Sequence, residues 1–203
     1  MYEAELKKLI FLIQQQYDYI NEKWINDSNY FPINMKRKRV DDVYKDETLL
    51  SNIINYRNFV NDNNTNMVEL IQKQNFSYPV TARVKALNSV QEKLNNYELY
   101  HEKGKIPLQK CINDIYGIRI IITEDICYEE VRSFVDKEIP EYHLKCISSI
   151  HGDYKAVHIY FGNDDNNKYQ WELQIWDKKH EKINFDSHAK HKQHYTKWEK
   201  ENI

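Results

Sequence analysis

Asp114-Ile115-Tyr116-Gly117-Ile118-Arg119-Ile120-Ile121-Ile122-Thr123 is the stretch that decides the fold. From Ile115 to Thr123 it is a nearly continuous Ile-rich run, the composition of a buried central strand. Outward from it, similar segments recur. Thr81 to Ala86 reads as a strand upstream; Leu144 to Ile150, Ala156 to Phe161 and Tyr169 to Trp176 read as three more downstream. The last two are joined as a hairpin by the polar turn Gly162-Asn163-Asp164-Asp165-Asn166-Asn167. Helical spacing lies between the strands, from Ser89 through Leu94 to about Tyr100, and from Cys127 to Lys137 with Val131, Phe134 and Val135 inward. Strands that alternate with helices in this way predict an α+β chain with a five-stranded sheet covered on at least one face.

The segment before Pro79 is different in kind. Leu6, Leu9, Ile10, Ile13, Tyr17, Ile20 and Trp24 recur at steps of three and four, which predicts an amphipathic helix over 3–25. Tyr30-Phe31-Pro32-Ile33-Asn34 reads as a connector, 46–61 as a second helix, Asp62 to Asn66 as a turn and 67–75 as a third helix. The expected division is a helical segment over 1–75 and a sheet-bearing domain over 76–203. With 203 residues, 41% of them apolar, the chain can bury one core of ordinary size. The longest apolar stretch, Leu9 to Ile13, is far too short to span a membrane, and Glu3 and Glu5 argue against a signal peptide. A soluble cytoplasmic protein is expected. Cys111, Cys127 and Cys146 are odd in number and widely spaced, so neither a disulfide framework nor a zinc ribbon is indicated.

Net charge is only −2, yet it is unevenly placed. Lys36-Arg37-Lys38-Arg39 is one basic cluster; the tail from Lys178 to Lys200, with Lys179, Lys182, Lys190, Lys192 and Lys197, is another. His188, His191 and His194 in that tail repeat at three, which lacks the paired spacing of a zinc hydrolase, so no metal is assigned there. Elsewhere polar residues interrupt apolar strands. Asp114 and Glu172 are costly to bury unless paired or metal-bound, so they are either ligands of one Mg²⁺ or partners of cations such as Arg83 and Arg119. Arg83 and Lys85 alternate on one strand, and Ser89 and Lys93 fall one turn apart on the next helix, a grouping suited to a phosphate chain or to an exposed surface. Gly152-Asp153-Tyr154-Lys155 is a turn entering a strand, with Tyr154 as a stacking platform or a packing residue and His158 as a phosphate donor or a core hydrogen bond.

Taken in order, these motifs resemble the synthetase domain of the RelA/SpoT-homologue family, in particular its short single-domain members, over about residues 79 to 195. Pro79 to Lys85 with Ser89 and Lys93 resembles the family's ATP-binding strand and helix. Asp114 to Arg119 resembles its metal-aspartate motif, Gly152 to His158 its acceptor loop, and Glu172-Leu173-Gln174-Ile175 the strand of its second carboxylate. The resemblance implies a mixed sheet of the nucleotidyltransferase-like synthetase fold and transfer of the β,γ-pyrophosphate of ATP to a ribose hydroxyl. It implies Arg83, Lys85, Ser89, Lys93 and Arg119 as ATP-binding, Asp114 and Glu172 as catalytic Mg²⁺ ligands, and Tyr154, Lys155, His158 and Gln174 as acceptor-binding. Two departures fall on the acceptor side: Trp176-Asp177 stands where an arginine usually follows Gln-Ile, and Asp153 splits the glycine-tyrosine pair. The family's hydrolase uses a His-Asp dipeptide that this chain lacks, and its length leaves no room for ribosome-responsive domains.

Two acceptors follow from the resemblance. One is the 3′ end of tRNA, blocked by a toxin that is paired with an antitoxin protein; Lys36, Arg37, Lys38 and Arg39 would then hold tRNA phosphates. The other is GDP or GTP, giving (p)ppGpp. A module that binds ATP or a partner without turnover is a third reading. A homo-oligomer is compatible with all three, and no membrane partner is expected.

Overall fold

The structure is a computed structural model that describes residues 2–187. His188, Lys190, His191, Lys192, His194 and Lys197 of the basic tail lie outside the described residues. Helix α1 (Tyr2–Ile25) buries Leu6, Leu9, Ile10, Ile13, Tyr17, Ile20 and Trp24, the stripe seen in the sequence. A short α2 (Val40–Val43) precedes α3 (Glu47–Asp62), which starts at Asp46 because that carboxylate accepts from the Thr48 and Leu49 amides. The turn expected over Asp62 to Asn66 contracts to Asn63, and α4 (Asn64–Lys73) begins at once. Asn and Thr suit a helix start as well as a loop, and burial of Met67 and Ile71 settles the matter in favour of the helix. Helices α5 (Leu87–Tyr100), α6 (Leu108–Cys111) and α7 (Tyr128–Glu138) follow.

The strands are β1 (Val80–Val84), β2 (Tyr116–Ile122), β3 (Lys145–His151), β4 (Tyr154–Phe161) and β5 (Trp171–Asp177). They form one five-stranded sheet in the order β1-β2-β5-β4-β3, mixed because β2 and β5 run parallel while the other pairs are antiparallel. β4 starts two residues earlier than its apolar run indicates. Gly152, at φ +59°, makes a two-residue hairpin with Asp153, so His151 and Tyr154 already pair.

Alternation divides the sheet into two unlike faces. Ile118, Ile120, Leu173, Ile175, Val157 and Ile159 lie on one face and join the buried residues of α1, α3 and α7 in a single core, so the helical segment and the sheet share one interior. On the other face the register sets Arg83, Gly117, Glu172 and Tyr160 in one row, and Thr81, Arg119, Gln174 and His158 in the next. β5 is buried along its whole length, so Glu172 and Gln174 are buried polar residues that must be satisfied from within the chain.

The turn after β4 is fixed by sterics. Gly162 has φ +76°, and a Cβ there would stand 1.9 Å from Tyr17 Oη, which itself donates to the Tyr169 carbonyl at 3.0 Å. Gly162→Ala should therefore cost about 3 kcal/mol, roughly 6–12 °C in melting temperature for a domain of this size. Thermal unfolding followed by circular dichroism checks this; a variant within 2 °C of the parent would show that the turn relaxes freely.

Candidate active site

Asp114 lies two residues upstream of β2, where the sheet register continues past the strands: the Lys85 amide bonds the Ile115 carbonyl at 2.8 Å. That bond sets Lys85 beside Asp114, and its Nζ donates to Asp114 Oδ2 at 2.6 Å. Lys93, on α5, donates to Asp114 Oδ1 and to Asn113 Oδ1, each at 3.0 Å. The three side chains are only about a fifth exposed. Burial alone would raise the Asp114 pKa, but the two ammonium groups, Lys93 foremost, override it and hold the carboxyl below its ordinary range. Neutralising Asp114 would strand two buried cations, so its substitution tests stability and chemistry together.

Glu172 is satisfied by a different set of groups. Its Oε1 lies 2.9 Å from His158 Nδ1 and its Oε2 accepts from Gln174 Nε2 at 2.7 Å. Burial and the Asp114 charge push its pKa up, but the bonds to His158 and Gln174 outweigh them, and it stays below the usual glutamate value. Gln174 Oε1 in turn accepts from Arg119 Nε at 3.2 Å and Nη2 at 2.9 Å. The Arg119 guanidinium carbon lies over the Trp176 ring, 3.6 Å from its centroid. Such a stack is worth about 0.5–2 kcal/mol. Burial first, and the like charge of Arg83 second, lower the Arg119 pKa to about 10.

One open cleft collects Arg83, Asp114, Arg119, Glu172 and Gln174, with Thr81 and Gly117. Lys85 and Lys93 reach it through Asp114, and His158 through Glu172. Ser89 is half-buried one turn before Lys93, its amide bonded to Asn88 Oδ1. Two expectations are corrected. Tyr154 offers no open stacking face: its ring is 9% exposed, edge-on to His158 and Trp176, and its hydroxyl is 2.9 Å from His158 Nε2. Because β4 begins at Tyr154, the ring shares a face with His158 and falls among Ile121, Ala156 and Trp176. Lys155, by the same alternation, is on the opposite face from His158, with its backbone bonded to Asn184 at 3.1 and 2.9 Å.

Lys36 and Arg37 are exposed, whereas Lys38 and Arg39 are half-buried. Lys36 Nζ donates to the Asn163 carbonyl at 3.1 Å, Lys38 sits 3.8 Å from Asp46, and Arg39 bridges to Pro107. Three participants escape a reading of motifs. Gly117 and Thr81 shape the cleft, and Trp176, a mere departure in sequence, supports Arg119. The signal for Trp176 was its period: 172, 174 and 176 share one face of a strand.

No family model and no curated protein matches the sequence. Solved structures do show a distant likeness. A GTP pyrophosphokinase family protein from Streptococcus pneumoniae is 21% identical, over 74% of this chain and 76% of that one, at a TM-score of 0.39. Small alarmone synthetase 1 from Bacillus subtilis is 18% identical over 74% and 80%, at 0.41. Small alarmone synthetase 2 from the same organism is 21% identical over 76% and 81%, at 0.37.

Gly117 supplies a test of the cleft itself. A Cβ built there meets nothing within 4 Å, although its neighbours across the strands are Arg83 and Glu172. Valine favours a strand where glycine does not, so Gly117→Val should keep or raise the melting temperature. Its side chain would nonetheless fill the floor between the two carboxylates and Arg83. Affinity for inorganic triphosphate, measured by calorimetry, should fall by about tenfold or more; unchanged binding would place the polyanion elsewhere.

Proposed function

We propose that the chain is an ATP-dependent pyrophosphokinase that moves the β,γ-pyrophosphate of ATP to a ribose hydroxyl. The observation that carries this reading is the meeting of two carboxyl groups, Asp114 and Glu172, with Arg83 and Arg119 in one cleft at the entrance of two parallel neighbouring strands. Phosphoryl chemistry asks mainly for positioning and charge neutralisation, and this cleft supplies both. Arg83, Lys85 and Lys93 would hold the ATP phosphates, Arg119 would lie at the adenine or the phosphates, and Ser89 is on the same helix as Lys93. The acceptor oxygen attacks the β-phosphorus, a new O–P bond forms, and the bond from the β-phosphorus to the α,β-bridging oxygen breaks, so AMP leaves with that oxygen. Glu172 accepts the hydroxyl proton.

The donor set fits Mg²⁺. Among the described residues no three His, Cys, Asp or Glu side chains converge, and two carboxylates completed by phosphate oxygens and water are the habit of that ion. Asp114 and Glu172 would hold it, and when bound it would neutralise charge on the transferred group.

For the acceptor, the 3′ end of tRNA is the reading favoured by the exposed pair Lys36 and Arg37 on the loop docked against the β4–β5 turn, at the end of the sheet where Glu172 lies. A toxin of this kind would be held in check by an antitoxin protein. A guanine nucleotide is the second reading, and it is favoured by the engagement of the Lys36 and Lys38 side chains within the chain.

Glu172→Gln keeps the shape and removes the charge, so turnover should fall by a factor of about 100 or more. Circular dichroism should stay unchanged. Transfer within a few-fold of the parent would remove the catalytic assignment and leave a binding module. The acceptor is decided with γ-labelled ATP offered to tRNA, GDP or GTP. If tRNA takes the label, Lys36→Ala with Arg37→Ala should flatten the salt dependence by roughly two phosphate contacts while ATP affinity holds. Label on GDP or GTP alone, with no effect of the pair, would establish the nucleotide acceptor.

A further inference from the structure

Two basic segments far apart in sequence lie side by side. Residues 36–46 hold five cations and three acids, and 101–110 hold three cations and one acid, in a chain whose net charge is −2. Arg39 pairs antiparallel with Pro107, the Val40 amide bonds the Ile106 carbonyl at 3.1 Å, and the Leu108 amide bonds the Lys38 carbonyl at 2.8 Å. In the first segment the acids turn inward. Asp42 accepts from the Arg39 amide at 2.8 Å, Asp46 accepts from the Thr48 and Leu49 amides, and Asp41 is buried. Lys36, Arg37, Lys45, Lys103, Lys105 and Lys110 are exposed.

Asp41 draws two of these cations together. Its Oδ2 accepts from Lys105 Nζ at 2.6 Å and from Lys45 Nζ at 2.7 Å, and both lysine side chains are 66% exposed. Lys105 foremost, and Lys45 next, hold the Asp41 pKa down to about 2, so the trio stays ionised at neutral pH with one positive charge in excess. The loop that brings Lys105 is shaped for this contact. Glu102, Lys103 and Gly104 take φ of +52°, +51° and +72° in succession, and a Cβ on Gly104 would stand 2.9 Å from Asp41 Cβ. Only glycine lets the loop backbone come so near.

We propose that Lys45 and Lys105, gathered by Asp41, form a seat for a backbone phosphate of RNA, outside the catalytic cleft. Each ammonium gives one hydrogen to Asp41 and keeps two for a phosphate oxygen. Tied to a buried carboxylate, the two side chains lose less freedom on binding than free lysines would. A lone phosphate would meet a single excess charge on an open surface. A polymer of phosphates also meets Lys36 and Arg37 on the neighbouring segment and Lys103 and Lys110 on this one, and each contact adds counterion release. Lys110 lies on α6, four residues before Asp114, so along the chain the exposed cations lead from the seat to the segment that carries Asp114. The choice of RNA rests on the tRNA reading above; the seat rests on the geometry.

Labelled bulk tRNA, titrated with the protein at several salt concentrations and without ATP, tests the seat by fluorescence anisotropy. Lys45→Ala and Lys105→Ala each leave Asp41 one lysine. Each should lower the slope of log K against log salt by about one, and weaken binding roughly tenfold at about 0.1 M salt. Lys73→Ala is the control: Lys73 is similarly exposed on α4, pairs with Glu69 at 3.8 Å, and its loss changes the net charge equally. It should leave the slope unchanged. Slopes for Lys45→Ala and Lys105→Ala that match the Lys73→Ala slope would overturn the proposal. So would a parent that takes up phosphatidylserine vesicles and does not bind tRNA. If an alanine variant fails to fold, Lys45→Gln and Lys105→Gln, which keep most of the stem, decide by the same slopes. Binding and transfer fail separately. Pyrophosphate label on GDP or GTP alone, with tRNA still bound through the seat, would remove the acceptor reading and leave the seat; labelled tRNA with unchanged slopes would do the reverse.

Discussion

Asp114 and Glu172 repel one another, and a chain that buries both must neutralise each from a separate source. Asp114 draws its cations from the end of β1 and from α5; Glu172 draws its donors from β4 and its own strand. The two sets do not overlap, and each holds its carboxyl below the ordinary range. Asp114 ties α5 to the sheet through Lys93: burial would lower the Lys93 pKa, but the Asp114 charge outweighs it. Lys85 and Lys93 are therefore counter-ions first. Arg83 and Arg119, by contrast, line the cleft with no carboxylate bonded to either among the described residues.

The parallel pairing of β2 with β5 puts these groups together. A parallel neighbour needs a long crossover, here the passage through α7, β3 and β4, and it delivers Glu172 opposite Gly117 instead of opposite another side chain. A glycine at that position leaves the backbone bare between Arg83 and Glu172. The same crossover returns β4 alongside β5, where His158 and Tyr160 complete the two polar rows. One register thus builds both the cleft and the bonds that keep its carboxylate in place, and a slip of one residue would send Glu172 into the apolar core.

Most of the sheet was legible because its strands are short apolar runs separated by turn residues, and α1 because its stripe repeats without interruption. Boundaries were missed where one residue type serves two structures. Asn64 and Thr65 begin a helix in place of ending a loop, and Tyr154 belongs to a strand whose start Gly152 sets. Asp114, Glu172, Arg83 and Arg119 could be singled out because charge inside an apolar run is conspicuous, and the fold brings the four into one cleft. Tyr154 and Lys155 could not be placed. Their neighbourhood depends on which face of β4 each takes, and that follows from a turn of two residues. Trp176 escaped because a tryptophan in an apolar strand looks like core, and only the register shows an arginine above it.

The basic loop and the cleft are mechanically one piece. Met35 donates its amide to Asn166 in the β4–β5 turn at 2.7 Å and its carbonyl accepts from Gln109 at 2.9 Å, while Leu108 bonds the Lys38 carbonyl at 2.8 Å and Val40 bonds Ile106. Residues 106–112 lead directly through α6 to Asn113 and Asp114. A strand of nucleic acid gripped at Lys36 and Arg37 would be held by a loop whose backbone is hydrogen-bonded on one side to the turn that precedes Glu172 and on the other to the segment that delivers Asp114. On the function proposed above, a mononucleotide acceptor would gain nothing from that coupling, so the loop, and not the cleft, would separate the two proposed acceptors.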